Sequence, residues 1–236
     1  MTDDLTRRVF LGAAGAAVAA GTAQFAAAEG QPAAATPGTI KIVGVACSFR
    51  KGKTTAAAVQ ACLDAAKAVS PEKIEIELVD LGGLRINGAV AAGIALEPGE
   101  RDDFPQVAAR LSGPNVAGVI VGTPTYFSNM SSLCKAFLER LMLFRKNDFA
   151  LSNKVAGVVA VGAARNGGQE LAIQAVKAAL VSQEMIVVGE GRPTAHGGPV
   201  FQNQGDDISK DEVGLGAAKN LGRRVAEVAL IVTRCA

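Results

Sequence analysis

Five short runs rich in β-branched residues set the frame of this chain: Ile40 to Cys47, Ile74 to Leu81, Val116 to Pro124, Lys154 to Gly162 and Met185 to Gly191. Most are apolar on both faces, as strands buried in a parallel sheet are. The second run, IEIELVDL, alternates instead, with Glu75 and Glu77 on one face, and so reads as an edge strand. Between the runs lie segments of helical spacing. Val59, Cys62, Leu63 and Ala66 mark the first, and Cys134, Phe137, Leu138 and Leu141 repeat its pattern. Ile173, Val176 and Leu180 mark another, Leu221, Val225 and Val228 the last, and a weaker one runs from about Asp102 to Leu111. Parallel neighbours need crossover connections, which place helices on the faces of the sheet. The alternation therefore predicts a three-layer α/β fold whose five parallel strands lie in the order 2-1-3-4-5, with ligands beyond their carboxyl ends where the winding reverses.

Ahead of the first strand the chain reads MTDDLTRRVFLGAAGAAVAAGTAQFAAA. A charged start, the pair Arg7-Arg8, a weakly apolar run and the small residues Ala26 to Ala28 resemble a twin-arginine export signal with its cleavage point. The division expected is an export signal over residues 1–28, a flexible leader over 29–39 and one domain over 40–236, in a periplasmic protein. An Ala-rich membrane anchor is the other reading of the same run, which is long enough to span a bilayer. Signals of the twin-arginine type are associated with proteins exported already folded, often around a cofactor.

The function falls on three loops at one edge of the sheet. After the first strand comes SFRKGKTT, where Ser48, Thr54 and Thr55 offer hydroxyls, Arg50 a charge and Gly52 a tight turn at a helix N-terminus. These are the requirements of a phosphate dianion. A nucleotide P-loop shares the G-K-T ending, but its first glycine falls on Cys47; a solvated basic turn is a further alternative. After the third strand, TPTYFSNMSS sets the only Tyr of the protein, Tyr126, beside Phe127. The pair either caps the sheet or offers aromatic surface to a flat, polar-edged ring. After the fourth, GAARNGGQE brings Arg165, Asn166 and Gly167 to another helix start.

Together these loops resemble those of the flavodoxin-like NAD(P)H-dependent FMN reductases, particularly the branch that includes the iron-sulfur flavoproteins, over nearly all of the chain from Ile40. The resemblance implies the flavodoxin-like form of the α/β fold and FMN as cofactor. It implies phosphate binding by Ser48, Arg50, Thr54 and Thr55, and a flavin-ring loop of Pro124, Thr125, Tyr126, Phe127 and Asn129. Arg165, Asn166 and Gly167 would form a third contact. It also implies NAD(P)H as donor, a small acceptor such as a quinone or free flavin, and a dimer or tetramer. The flavin would carry the chemistry, so no side chain is nominated as catalytic. An electron carrier of flavodoxin type, with no substrate site of its own, is the alternative.

One departure from that branch concerns iron. The branch carries a tight cysteine cluster after the second strand, where this chain reads LGGLRINGAVAAGIALEPGE without a cysteine. Four thiolates are the usual requirement for such a cluster. The four cysteines, Cys47, Cys62, Cys134 and Cys235, are scattered without a C-x-x-C, so neither iron-sulfur nor zinc is expected and free buried thiols are. The formal net charge of +2 gives no reason to expect nucleic-acid binding. The resemblance implies a small-molecule donor and acceptor as partners, and export adds a redox protein or quinol as an expected source of electrons. The single histidine, His196, is expected to make a structural hydrogen bond in the loop after the fifth strand.

Overall fold

The computed structural model describes residues 38–235, so the export signal and the leader as far as residue 37 lie outside the described residues. The strands are β1 (Ile40–Ala46), β2 (Ile74–Asp80), β3 (Val116–Tyr126), β4 (Asn129–Met130), β5 (Val155–Gly162), β6 (Ile186–Val187) and β7 (Val200–Gln202). The helices are α1 (Thr54–Lys67), α2 (Phe104–Leu111), α3 (Ser132–Arg140), α4 (Met142–Lys146), α5 (Gln169–Val181) and α6 (Glu212–Cys235). Among the described residues no helix is long and apolar enough to cross a membrane.

The main path of the sheet, β2-β1-β3-β5-β6, is parallel and keeps the expected flavodoxin-like succession with β2 at the edge, while two added strands lie off it, β4 antiparallel on β3 and β7 parallel on β5. Side chains alternate across it as a strand period of two requires. Ile42, Ile120, Val155 and Val159 join Val59, Leu63, Leu221 and Val225 in the core under α1 and α6. Val43, Val45, Val119, Val121 and Val158 join Phe104, Phe137 and Ile173 under α2, α3 and α5. At Gly122 the helix lies so close that a Cβ would stand 2.2 Å from Cγ2 of Val59, so only glycine lets α1 settle on β3 there.

Two departures from the sequence expectation matter for the site. The fifth strand, expected over Met185 to Gly191, forms only at Ile186–Val187, and β7 fills the rest of that sheet position beside Ala160 to Gly162 of β5. Gly189, Gly191 and Pro193 explain the break. The chain doubles back there, with Glu190 N donating to His196 O at 3.1 Å, and glycine and proline serve a turn where they would weaken a strand. The second departure lies after Pro124. The chain stays extended to Tyr126, reverses at Phe127 and Ser128, and pairs back as β4 before α3 begins. Both turn residues have positive φ, 49° and 62°, as a two-residue hairpin of the tightly twisted kind demands.

Candidate functional site

The loop after β1 is built to leave a helix start open. Asp80, at the end of β2, accepts from Gly52 N at 2.6 Å through one carboxylate oxygen and from Gly82 N at 2.9 Å through the other. Gly82 lies against the backbone of Lys51, so the loop is braced from the β2 side. Ser48, Thr54 and Thr55 are buried, and Ser48 Oγ accepts from Arg50 N at 3.2 Å. Helix α1 starts after Lys53 with no side-chain cap and no acidic residue in its first turn. Its first N–H groups therefore lack a side-chain acceptor, the condition in which a helix start attracts an anion.

The loop after β3 is tied to that one. Thr123 Oγ1, fully buried, donates to Pro124 O at 2.9 Å and accepts from Ser131 N at 3.1 Å. Ser131 Oγ caps α3 by accepting from Cys134 N at 3.0 Å and donates to Cys47 O at 2.8 Å. The hairpin above carries Tyr126, half exposed, and Phe127, wholly exposed, so these aromatics do not cap the sheet. Asn129 Oδ1 accepts from Met130 N at 2.8 Å, which holds the hairpin's return strand. A non-glycine turn with two left-handed residues stores strain of about 1–3 kcal/mol per residue, a feature that clusters at ligand sites.

The loop after β5 meets the hairpin at Gly168, whose φ of +90° and close approach to Ser128 leave no room for a Cβ. Asn166 is also left-handed, with φ of 59°, and exposed. Arg165 turns toward the start of α6, donating to Val200 O at 3.0 Å and pairing with Asp211. The backbone of Asn166 and Gly167 is thus what this loop presents toward the hairpin's edge of the sheet. Of the sequence candidates, those in the first two loops and Asn166 to Gly167 gather at the carboxyl edge, while the guanidinium of Arg165 is spent on β7 and α6.

Three buried polar atoms at this edge lack a partner among the described residues: Thr125 Oγ1, Gln169 Oε1 and Asn203 Oδ1. Each such atom costs about 1–3 kcal/mol unless something fills it. They stand at the end of β3, the start of α5 and just past β7, and a planar ring with carbonyl and N–H groups along its edge matches their chemistry. Gln169 is buried, and its amide donates to Ala164 O at 2.6 Å and Phe201 O at 3.3 Å. Sequence reasoning missed Ser131, Gln169 and Asp80 because each holds backbone that is distant in sequence, and Thr123 because its bond to Ser131 N forms only once the hairpin between them has folded back.

Asp211 anchors the far side of the site. Its buried carboxylate accepts from Gln202 N at 2.7 Å, from Gly214 N at 2.9 Å and from Arg165. Burial pushes this carboxyl up, but the two backbone donors and the guanidinium outweigh it and hold it below the usual carboxylate range. A lowered folded value means stability that is full above about pH 4 and lost as pH falls through that lower value. Asp211→Asn is therefore expected to cost about 2 kcal/mol in urea unfolding at pH 7 and progressively less toward pH 3. A cost that is the same at both pH values would refute the charge-based account.

The remaining candidates are structural. His196 Nδ1 lies 3.2 Å from Glu190 Oε1 on an exposed loop. Cys47, Cys62 and Cys134 are free and buried, with Cys62 in the core under α1 and the other two in the opposite core. Burial pushes the Cys62 thiol up; burial and then the neighbouring Cys134 thiol push that of Cys47 up. Among the described residues no three His, Cys, Asp or Glu side chains are gathered to hold a metal.

The chain is similar to known proteins in sequence and in fold. A family model described as NADPH-dependent FMN reductase matches residues 40–199. An iron-sulfur flavoprotein of Methanocaldococcus jannaschii is 35% identical over 83% of this chain and 100% of its own length. An NAD(P)H dehydrogenase (quinone) of Paracoccus denitrificans is 34% identical over 47% of this chain and 60% of its own. Among solved structures, the flavodoxin, WrbA-like protein from Agrobacterium tumefaciens has the same fold, with a TM-score of 0.56 at 19% identity over 81% of this chain and 97% of that one.

Proposed function

We propose that this chain, which belongs to the NADPH-dependent FMN reductase family, is an oxidoreductase that carries electrons on bound FMN from a small donor to a small acceptor. The observation that carries the reading is the joining of three loops at one sheet edge, through Ser131 to Cys47 and through Ser128 to Gly168, around polar atoms left without partners. The phosphate belongs at the start of α1, on the hydroxyls of Ser48, Thr54 and Thr55 with Arg50 beside them. The ring belongs against Pro124, Thr125, Tyr126, Phe127 and Asn129, with the backbone of Arg165 to Gly167 opposite. When bound, FMN supplies the capacity to take up hydride and release electrons. The chain's own residues bind, orient and exclude water, and no side chain is needed as acid or base.

NAD(P)H as donor and a quinone as acceptor are supported by the partial likeness to the Paracoccus quinone reductase. The segment after β2 lacks the thiolates a cluster requires, so the cofactor is FMN without iron and sulfur. The Arg7-Arg8 signal fits the same picture. A tightly held cofactor stabilises the folded state by about 4 kcal/mol at a thousandfold excess over Kd, and export in the folded state keeps it in place. Protein from an export-competent host is expected to be yellow and to release one FMN per chain on denaturation, without acid-labile sulfide. It should turn over a quinone with NADPH or NADH. A colourless chain that takes up no added FMN overturns the reading, and bound FMN without turnover by any nicotinamide turns it into an electron carrier.

A further inference from the structure

The loop between β7 and α6 crosses to the phosphate loop and places a carboxylate where a ligand anion is expected. Asp206 pairs through one oxygen with Arg50 Nη1 and stands 3.3 Å through the other from Lys53 Nζ. It reaches them by a sharp reversal in which Gln204 N donates to Asp207 O at 2.9 Å and Asp207 N to Gln204 O at 3.2 Å. The two residues between, Gly205 and Asp206, have φ of 61° and 67°. A non-glycine residue in the left-handed region is unfavourable and persists only where its surroundings demand it. The adjacent Asp207 is taken up by Ser209 N and Ser209 Oγ, so of the two carboxylates only Asp206 meets the cations.

We propose that Asp206 is an internal competitor for the cofactor phosphate, neutralising Arg50 and Lys53 in the cofactor-free protein and giving way to a dianion. The inference rests on the reading that residues 48–55 hold that phosphate. Arg50 and Lys53 hold the Asp206 carboxyl below the usual range, so it stays charged at neutral pH. All three side chains are more than a third exposed, so the contact is weakly held and screened by salt. A phosphate dianion carries twice the charge, and it also meets the first N–H groups of α1 and the Thr54 and Thr55 hydroxyls, which a carboxylate on the far loop does not. The carboxylate therefore sets how tightly the phosphate is held, lowering the affinity of any anion that must displace it by a common factor. A flavin without a phosphate feels none of this.

The test is calorimetric titration of the cofactor-stripped full chain at low salt with inorganic phosphate, FMN and riboflavin. Asp206→Asn is expected to tighten phosphate and FMN about tenfold, as removal of one charge near a dianion in a mostly aqueous setting should, and to leave riboflavin within about twofold. The gain should shrink in 0.5 M salt, the concentration chosen to shorten the screening length to a few ångströms. Asp206→Gly, which suits the left-handed turn, should behave alike and guards against a folding defect in the first variant. If wild type binds FMN and neither variant tightens it, the competitor is refuted and the cofactor reading stands. Tightened phosphate in a chain that takes up no FMN keeps the competitor and refutes the cofactor reading; weaker binding of both anions would make Asp206 an organiser of Arg50 instead.

Discussion

Arg140→Met is expected to lower the unfolding free energy by about 3–5 kcal/mol, the cost of leaving a buried charge without its partner. Arg140 grips Asp102 with two parallel bonds, 3.0 Å and 2.7 Å, and both side chains are about nine-tenths buried. Its guanidinium also donates to Asn87 O at 3.0 Å and lies 4.5 Å from the Phe104 ring centroid. Methionine keeps much of the volume but neither the fork nor the charge. Asp102 would then keep only the 3.3 Å bond that Phe104 N donates to its Oδ1 to offset its desolvation. Asp102→Leu in the Arg140→Met background should recover part of the loss, because an apolar pair of similar volume replaces both charges. Urea unfolding of the two singles and the double decides it; a single-variant cost below about 1 kcal/mol would show that the pair behaves as an exposed one.

The consequence reaches the site because of what the pair holds. Residues 81–100 are the segment in which the resemblance to the iron-sulfur branch would place cysteines. In this chain the segment is fixed by Arg140 to Asp102 and Asn87, and by Asp103, which accepts from Arg85 N at 2.8 Å and Arg101 Nε at 2.7 Å. Its first residues, Gly82 and Leu81, lie against the loop after β1 and against β1 itself. Charge pairs thus brace the segment, and it in turn braces the loop after β1 at Lys51.

How much of this was legible in the sequence depends on whether the signal was local. Buried parallel strands write themselves as apolar runs, and the alternation of Glu75 and Glu77 marked the edge position of β2, so the order of the sheet was readable. Helix faces were readable from Val59, Cys62 and Leu63 because period and burial coincide there. The split of the fifth strand was not, since MIVVGEG carries strand propensity and its break comes from Gly189 folding against His196. The hairpin at Phe127 and Ser128 was also illegible: neither residue favours positive φ, so the turn is imposed by pairing of Thr125 with Met130 and Tyr126 with Asn129. The candidate residues of the first loop followed from residue type at a helix start, while those of the second came from the family resemblance, the local pattern leaving a sheet cap as an equal reading. The groups that hold those loops, Asp80, Ser131, Asp206 and Asp211, act across 28 to 156 positions of sequence and leave no local mark.

Gly168→Ala should be the most damaging single methyl in the ring region, with FMN binding weakened at least tenfold and stability lowered by about 2–4 kcal/mol. The position is left-handed at +90°, and the added carbon would stand 2.4 Å from Ser128 Oγ and 2.7 Å from its Cα and Cβ. Rotation of Ser128 relieves the first clash but not the one with its main chain, so the hairpin and the loop after β5 must separate. That separation moves the aromatic hairpin away from the loop after β5, which carries Asn166 and Gly167 beside Gly168. Ser128→Gly makes the test specific. It removes Oγ and Cβ, and it relieves a left-handed serine at the cost of a more flexible unfolded chain, so alone it should be near neutral. Combined with Gly168→Ala it should restore part of the FMN affinity and not all, because the clash with the main chain at residue 128 and the backbone strain of the alanine remain. Full recovery would mean the serine side chain alone sets the spacing of the two loops, and no recovery would place the damage in α5 rather than between the loops.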